Sequence, residues 1–168
     1  MNNKPILDPC CGGRMFYFDK ENPYVLYCDN REFKGDLWRG VRPFEVKPDM
    51  IADFTALPFG DESFWHVVFD PPHLANDAGD NSRLVKKYGK LPKEWKHFIK
   101  AGFDECWRVL KTNGTLIFKW SEFDILTSEL IKTIDINPIY GNRSGKASKT
   151  HWLVFVKTLG EEKHNEKS

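Results

Sequence analysis

Two short motifs in this sequence combine acidic side chains with residues that shape the backbone. They are Asp8-Pro9-Cys10-Cys11-Gly12-Gly13 and Asp70-Pro71-Pro72-His73. In the first motif, glycines without a Cβ accept positive φ and let the backbone approach a bound nucleoside, while Asp8 can accept hydrogen bonds from a cationic group. In the second, consecutive prolines fix φ and supply no N–H, which predicts a stiff loop whose carbonyls remain available as acceptors.

Two further acids stand where strands are predicted to end. Asp29 follows the first motif by about 20 residues, the position at which a carboxylate receives ribose hydroxyls in dinucleotide-binding folds. Asp53 could accept from an adenine amino group, and Phe54 beside it could cover the ring. A plain turn or a helix cap is the alternative for each acid taken alone. Together with the glycine turn, these residues predict a site for a nucleoside cofactor.

The elements that must position these residues alternate between β-rich runs and helical or turn-rich stretches. A run such as 65–69 is apolar at nearly every position, which is typical of a strand covered on both faces. Only the turn-rich stretch 141–150 separates the last two runs, which predicts an antiparallel terminal pair. We therefore expect an α/β domain with a mostly parallel sheet. Its seven predicted strands are Pro5–Asp8, Tyr24–Cys28, Met50–Asp53, Trp65–Asp70, Thr115–Trp120, Asn137–Tyr140 and His151–Lys157.

Apolar spacing and capping residues predict two helices, and a third, shorter helix is expected after the glycine turn. The clearest runs from about residue 93 or 94 to 111 and ends at Asn113-Gly114, a pair prone to the left-handed conformation. A second runs from about 121 to 134 with Ser121 as its N-cap, and a short one from about 14 to 21 stops before Pro23. One domain of residues 1–159 and a disordered charged tail of residues 160–168 complete the predicted organisation.

With these features the sequence resembles the class I S-adenosylmethionine-dependent methyltransferases over most of residues 5–157. The resemblance implies a single Rossmann-like methyltransferase domain, whose seven-stranded sheet has the order 3-2-1-4-5-7-6 with strand seven antiparallel. It also implies S-adenosyl-L-methionine as the cofactor. The residues that it assigns to cofactor binding are Asp8, Cys10, Gly12, Gly13, Asp29, Asp53 and Phe54.

The second motif resembles one found in enzymes that methylate exocyclic amino groups of adenine or cytosine, or glutamine amides: Asp, Asn or Ser, then two prolines and an aromatic residue. A base amino group is a weak nucleophile because its lone pair is delocalised into the ring. Acceptors from Asp70 and the Pro71 carbonyl would draw the nitrogen out of conjugation and stabilise the developing charge. The resemblance assigns catalysis to Asp70, Pro71, Pro72 and His73, although Tyr, Phe or Trp is usual at the stacking position of His73. A rigid turn after a strand is the alternative.

Local excesses of basic residues favour a polyanionic substrate. Between residues 83 and 100, seven Lys or Arg residues stand against one acid, with Tyr88 and Trp95 among them. A solvated helix face is the alternative interpretation of that segment. The stretch 141–150 adds basic residues at the same expected edge of the sheet. The predicted substrate-binding residues are Lys86, Lys87, Arg143, Lys146 and Lys149.

Composition narrows the function classes. The net charge of +1 does not by itself indicate a nucleic-acid binder, and no apolar run approaches the roughly 20 residues that a bilayer crossing needs. No secretory leader is recognisable, so we expect a cytoplasmic protein of bacterial or phage origin. The four cysteines form no Cys-x-x-Cys pair, so we expect no metal site.

The leading hypothesis is methyl transfer to the exocyclic amino group of adenine in DNA, with the base flipped into the pocket if the target is duplex. RNA is a close alternative substrate, and cytosine is a second base option. A protein amide, a small amine and a non-catalytic cofactor-binding module are further alternatives. Because no separate target-recognition domain is visible, specificity would come from residues 74–93, from residues 141–150 or from a protein partner. The sequence leaves the oligomeric state open.

Overall fold

The computed structural model describes residues 4–37, 43–75, 82–143 and 149–159. Nine strands and three helices occur in these ranges. The strands are β1 (Ile6–Asp8), β2 (Val25–Asp29), β3 (Phe33–Gly35), β4 (Phe44–Val46), β5 (Met50–Ile51), β6 (Phe64–Phe69), β7 (Leu110–Ser121), β8 (Tyr140–Arg143) and β9 (Thr150–Val156). The helices are α1 (Arg83–Tyr88), α2 (Trp95–Val109) and α3 (Thr127–Ile134).

Seven strands form one sheet in the order β5-β2-β1-β6-β7-β9-β8. β1 pairs in parallel with β2 and β6, and the pairs β2–β5 and β6–β7 are also parallel. β9 is antiparallel to both β7 and β8. When only these seven strands are numbered, the order is 3-2-1-4-5-7-6 with an antiparallel strand seven. The predicted α/β fold class and strand order are therefore confirmed.

β3 and β4 form a small antiparallel hairpin beside the main sheet, and the sequence patterns did not predict it. Each strand has three residues, too few for a readable alternation of apolar and polar side chains. Val46 is buried, and the ring of Phe44 packs against the backbone of Gly13. The hairpin thus lies against the glycine turn.

The core has two parts, one on each face of the sheet. Leu26 and Cys28 belong to a large cluster that includes Ile99 and Phe103 of α2, whereas the intervening Tyr27 packs in a smaller cluster. Successive strand residues point to opposite faces, so β2 contributes to both clusters. The fully buried side chains of α2 hold that helix against the central strands.

Residues 14–21 form turns instead of the predicted short helix. Arg14 has a φ of +51°, which is incompatible with a right-handed helix beginning at that residue. Its buried guanidinium donates to the carbonyls of Lys20 and Lys47 and lies 3.8 Å from the ring centre of Tyr27. The chain therefore turns around this side chain, which satisfies carbonyls that no helix pairs.

The predicted end of the long helix is also wrong. α2 ends at Val109, and Leu110 already pairs with Phe64 in the sheet. Asn113 does adopt the left-handed conformation, with a φ of +66°, but it lies within β7. Sheet pairing outweighs the helical apolar spacing at these positions.

The second long helix begins at Thr127, six residues later than expected. β7 continues through Ser121, so this residue is not the N-cap. The side chain of Glu122 instead accepts hydrogen bonds from the backbone N–H and the hydroxyl of Thr127. β8 likewise starts at Tyr140, where the predicted strand was to end.

Lys146 and the tail 160–168 lie outside the described residues, and the extent of the predicted domain stays a prediction. Across the described ranges, none of the helices combines the length and apolar character that spanning a bilayer demands.

Candidate active site

A cavity of about 240 Å³ opens at the carboxyl ends of β1, β2 and β6. Its wall contains residues 10–13, 29–31 and 70–73. β1 lies between β2 and β6, so the chain leaves β1 towards one side of the sheet and later returns on the other. Ligands of open α/β sheets bind at such switch points. The two motifs, 62 residues apart at Asp8 and Asp70, meet there.

The glycine turn is held by backbone hydrogen bonds to β2. The N–H of Cys11 donates to the carbonyl of Cys28 over 2.8 Å, and that of Gly12 donates to Oδ2 of Asp29 over 2.9 Å. Gly12 has a φ of +49°, in the left-handed region that favours glycine. Cys10, Gly12 and Gly13 all line the cavity, so this part of the predicted cofactor site comes together.

Asp29 faces the cavity with 7% of its side chain exposed. Burial raises the pKa of Asp29, and the N–H of Gly12 and the guanidinium of Arg31 oppose that rise. Its Oδ1 also accepts from the backbone N–H of Arg31 over 3.2 Å. A carboxylate has about four lone-pair positions, so Asp29 retains capacity for ligand hydroxyls.

Asp8 is fully buried beneath the turn and does not line the cavity. Its Oδ2 accepts from the hydroxyl of Tyr17 over 3.0 Å, and its Oδ1 accepts from the N–H of Cys10 over 3.2 Å. Burial raises the pKa of Asp8 to about 8, although these two donors lower it. The carboxyl group therefore braces the turn through these two bonds, and its predicted part in cofactor binding stays a prediction.

Phe54 lines the cavity, and Phe98 of α2 packs beside it with ring centres 4.8 Å apart. Asp53 is exposed outside the cavity wall, where its Oδ1 accepts from the backbone N–H and the hydroxyl of Thr55. Phe98 was not among the predicted site residues, because its spacing on the apolar stripe of α2 does not distinguish a cavity wall from the core.

Asp70 forms an ion pair with Lys119 of β7, with 2.6 Å between Oδ2 and Nζ. The parallel pairing of Phe69 with Phe118 brings the two side chains together. Burial raises the pKa of Asp70, and the charge of Lys119 opposes that rise. The sequence patterns missed Lys119. The sequence feature that could have identified it is a lysine between two aromatic residues, Phe118 and Trp120, at the end of a predicted strand. Both aromatic side chains are fully buried.

The rest of the second motif also reaches the cavity. Pro71 and Pro72 line it, and the half-buried ring of His73 lies 5.9 Å from that of Tyr88 and 6.5 Å from that of Trp120. Burial lowers the pKa of His73, so the imidazole is neutral near pH 7. A neutral ring among aromatic groups is suited to stacking.

Arg31 joins the cavity to α1. Its Nη1 donates to the carbonyl of Lys86 over 2.9 Å, and its Nη2 donates to that of Lys87 over 3.1 Å. A cation at a helix C-terminus satisfies carbonyls that lack partners within the helix. α1 buries none of its residues, so these bonds are important for its position. Arg31 was not among the predicted site residues.

The predicted substrate-binding lysines occupy different places. Lys87 lines the cavity, whereas Lys86 contributes only its carbonyl to the contact with Arg31. Nζ of Lys149 lies 4.9 Å from the ring centre of Phe123, whose side chain is 67% exposed. Arg143 ends β8, but its side chain is outside what the structure describes.

Among the other basic residues between 83 and 100, Lys90 also lines the cavity, whereas Lys96 and Lys100 form ion pairs outside its wall. Lys96 pairs with Glu129 and Lys100 with Asp104. In the part of the chain that is described, no group of three or more His, Cys, Asp or Glu side chains is arranged to hold a metal ion.

The fold is similar to that of the PH0226 protein of Pyrococcus horikoshii OT3, with a TM-score of 0.53 and 15% sequence identity over 92% of this chain and 81% of that one. The two chains share a Rossmann-like α/β fold, and this chain has the seven-stranded order that the resemblance to the class I methyltransferases implied. A complex of the Haloferax volcanii Trm112 methyltransferase activator with a candidate methyltransferase matches at a TM-score of 0.46 and 13% identity, over 94% and 84% of the two chains. No protein-family model and no curated protein sequence matches significantly.

When the seven strands of the main sheet are numbered in chain order, each element of the cavity ends or follows a different strand. The glycine turn follows strand one, Asp29 ends strand two, Phe54 follows strand three and Asp70 follows strand four. Lys119 lies near the end of strand five. The site is thus assembled from one edge of the parallel sheet.

Proposed function

We propose that this protein is an S-adenosyl-L-methionine-dependent N-methyltransferase that acts on the exocyclic amino group of adenine in DNA. One observation carries the proposal: the glycine turn, Asp29 and the Asp70–His73 motif line the same cavity. A cofactor site and an amine-activating group must be adjacent for direct methyl transfer.

The residues of the cavity fit a nucleoside cofactor. Asp29 would accept from ribose hydroxyls, Phe54 and Phe98 would cover the adenine ring, and the turn at Gly12 allows close backbone approach. Bound S-adenosylmethionine supplies an electrophilic methyl group. The volume of about 240 Å³ is below the roughly 300–1,000 Å³ typical of ligand sites, and the cavity is open on one side. Part of the ligand would therefore extend into that opening.

Asp70 is the proposed acceptor for the amino group. Its Oδ2 accepts a hydrogen bond from Nζ of Lys119, whereas its Oδ1 accepts none from the described residues. An N–H donated to Oδ1 and a second to the Pro71 carbonyl would favour a pyramidal nitrogen and stabilise its growing positive charge. The Asp70 carboxylate is then available to take the proton that the methylated nitrogen releases.

The charges at the site favour a neutral amino group over an alkylamine. Asp70 and Lys119 together are neutral, so the pair offers no net attraction to a protonated amine. His73 can stack on a base, and Lys87 contributes a cation at the cavity. Phe123 with Lys149 is an aromatic and cationic pair of the kind that contacts bases and phosphates. These features support a nucleic-acid substrate.

Mass spectrometry of nucleosides from DNA and RNA of expressing cells tests the proposal. Wild type should raise N-methyladenine in DNA, and Asp70→Ala should abolish the increase. Asp36→Ala, which removes an exposed carboxylate away from the cavity, should behave as wild type. Methylation confined to RNA or to cytosine would contradict the assigned substrate. Absence of any methylated nucleoside would contradict the nucleic-acid assignment.

Competition between DNA, RNA and protein for tritiated methyl transfer by purified protein then compares the remaining acceptor classes. If the protein binds S-adenosylmethionine but Asp70→Ala changes the labelling of no acceptor, the non-catalytic alternative replaces this proposal. A protein partner for target recognition stays a prediction. Such a partner would be indicated if the purified protein methylated a specific DNA sequence only after a second protein was added.

A further inference from the structure

Lys119 is held in a confined position beside Asp70. Its side chain is 20% exposed, and that of Asp70 is 18% exposed. Nζ lies 5.7 Å from the ring centre of Phe16 and 5.9 Å from that of Trp152, and these two rings contact each other edge to face. A cation held between aromatic faces and a carboxylate keeps one preferred position.

We propose that Lys119 is a positioning residue for the methyl transfer: it keeps Asp70 ionised and holds Oδ2, so that Oδ1 is directed to the acceptor amine. This inference rests on the proposed function. It adds a residue outside both sequence motifs, contributed by the strand next to the one that Asp70 follows.

The charged and titratable groups around Asp70 make this role necessary. Lys119 approaches from β7, His73 from the motif loop, and Asp8 and Cys10 from β1 and the glycine turn. Two of these neighbours are acids or weak acids, and His73 is neutral near pH 7 because burial lowers its pKa. Lys119 is therefore the cation that offsets the burial of Asp70. Without it, Asp70 would hold a proton at higher pH, and the neutral carboxyl group would be a weaker acceptor that could not take the proton of the amine.

Removing the charge should change the titration of Asp70 itself. An opposite charge within about 4–6 Å lowers the pKa of an aspartate by about 1–3. Lys119→Gln should raise the pKa of Asp70 by a similar amount, as followed by the ¹³C resonance of its carboxyl carbon. Lys119→Arg should retain the wild-type value. Lys111→Met, which removes a lysine that lies 5.1 Å from the ring of Trp65, is the matched control.

Methyl transfer gives the second readout. In Lys119→Gln, the acidic limb of the kcat profile should move to higher pH by the same amount, with little change in KM for S-adenosylmethionine. Lys119→Arg should keep the acidic limb of the kcat profile at its wild-type pH. Circular dichroism and Tm establish that each variant is folded, and Lys119→Met replaces Lys119→Gln if the latter does not fold.

The two readouts separate this inference from the proposed function. An unshifted carboxyl titration in folded Lys119→Gln overturns the role of Lys119, even if the wild type methylates DNA. An unshifted acidic limb overturns it as well. A wild-type protein that methylates no acceptor overturns the proposed function, whatever the titration of Asp70.

Discussion

The backbone N–H of Gly12 donates a hydrogen bond of 2.9 Å to Oδ2 of Asp29. This bond links the glycine turn after one strand to the acid that ends the neighbouring strand. It orients the carboxylate and leaves it facing the cavity with little solvent around it. The two parts of the proposed cofactor site therefore depend on each other.

Asp29→Ala should weaken binding of S-adenosylmethionine by about 10- to 100-fold. Hydrogen bonds to a charged group contribute about 1.5–3 kcal/mol, and the substitution also leaves the N–H of Gly12 without its acceptor. Isothermal titration calorimetry measures the change in Kd. Asp36→Ala should bind as wild type. An unchanged Kd in folded Asp29→Ala would remove this residue from the cofactor site.

Gly102→Ala should destabilise the protein, although alanine favours helices. A Cβ at this position would lie 2.5 Å from Cδ2 of Phe54 and 3.0 Å from Cζ of Phe69. The gain in helix propensity is about 1 kcal/mol, whereas overpacking a core costs about 1–3 kcal/mol. Because Phe54 would be pushed towards the cavity, cofactor affinity should fall as well. Urea unfolding and calorimetry test both effects, and a variant more stable than wild type would contradict the packing argument.

Asp8 should make the stability of the protein depend on pH. Burial raises the pKa of Asp8 to about 8 in the folded chain, against an ordinary value of 3.8. The folded state therefore retains a proton that the unfolded state has lost between these values. Its stabilising contribution is complete below about pH 4 and is lost as pH rises through 8, by up to about 1.4 kcal/mol per pH unit.

The substitution Asp8→Asn isolates this contribution, because the amide resembles a protonated carboxyl group. Its free energy of unfolding should change less than that of wild type between pH 5.5 and 8.5. Asp36→Asn, at an exposed position, should keep the wild-type dependence. Parallel pH dependences for Asp8→Asn and wild type would show that Asp8 ionises normally in the folded chain.

Arg31→Ala should loosen α1. The guanidinium donates to the carbonyls of Lys86 and Lys87, and each such bond contributes about 1 kcal/mol. Hydrogen exchange at Lys86 and Gly89, whose N–H groups bond to the carbonyls of Ser82 and Val85, should accelerate by up to about 30-fold. Lys34→Ala removes an exposed lysine of the nearby hairpin and should leave exchange unchanged. Equal exchange in Arg31→Ala would mean that other contacts hold the helix.

The strands were predictable because apolar runs such as Trp65–Phe69 mark them, and the antiparallel end because the segment before β9 is too short for a crossover helix. The order of the seven strands was predicted from the resemblance to the class I methyltransferases. Element boundaries were less predictable. Glu122 accepts a hydrogen bond from Thr127, and the helix begins there, later than predicted. Arg14 donates to the carbonyl of Lys47, 33 residues along the chain. Neither effect has a signature in periodicity.

By itself, the sequence determined the α/β class, the antiparallel terminal pair and the two motifs that meet at the cavity, since these follow from apolar runs and from local backbone chemistry. The full strand order was what the resemblance to the class I methyltransferases implied. The tertiary structure decided which polar groups face one another. Lys119 and Asp70 are 49 residues apart, and Arg31 and Lys86 are 55 apart. The tertiary structure also turned Asp8 beneath the cavity and Asp53 away from it. Such pairings depend on strand register and on where each side chain finds a partner after burial, and local residue patterns carry neither quantity.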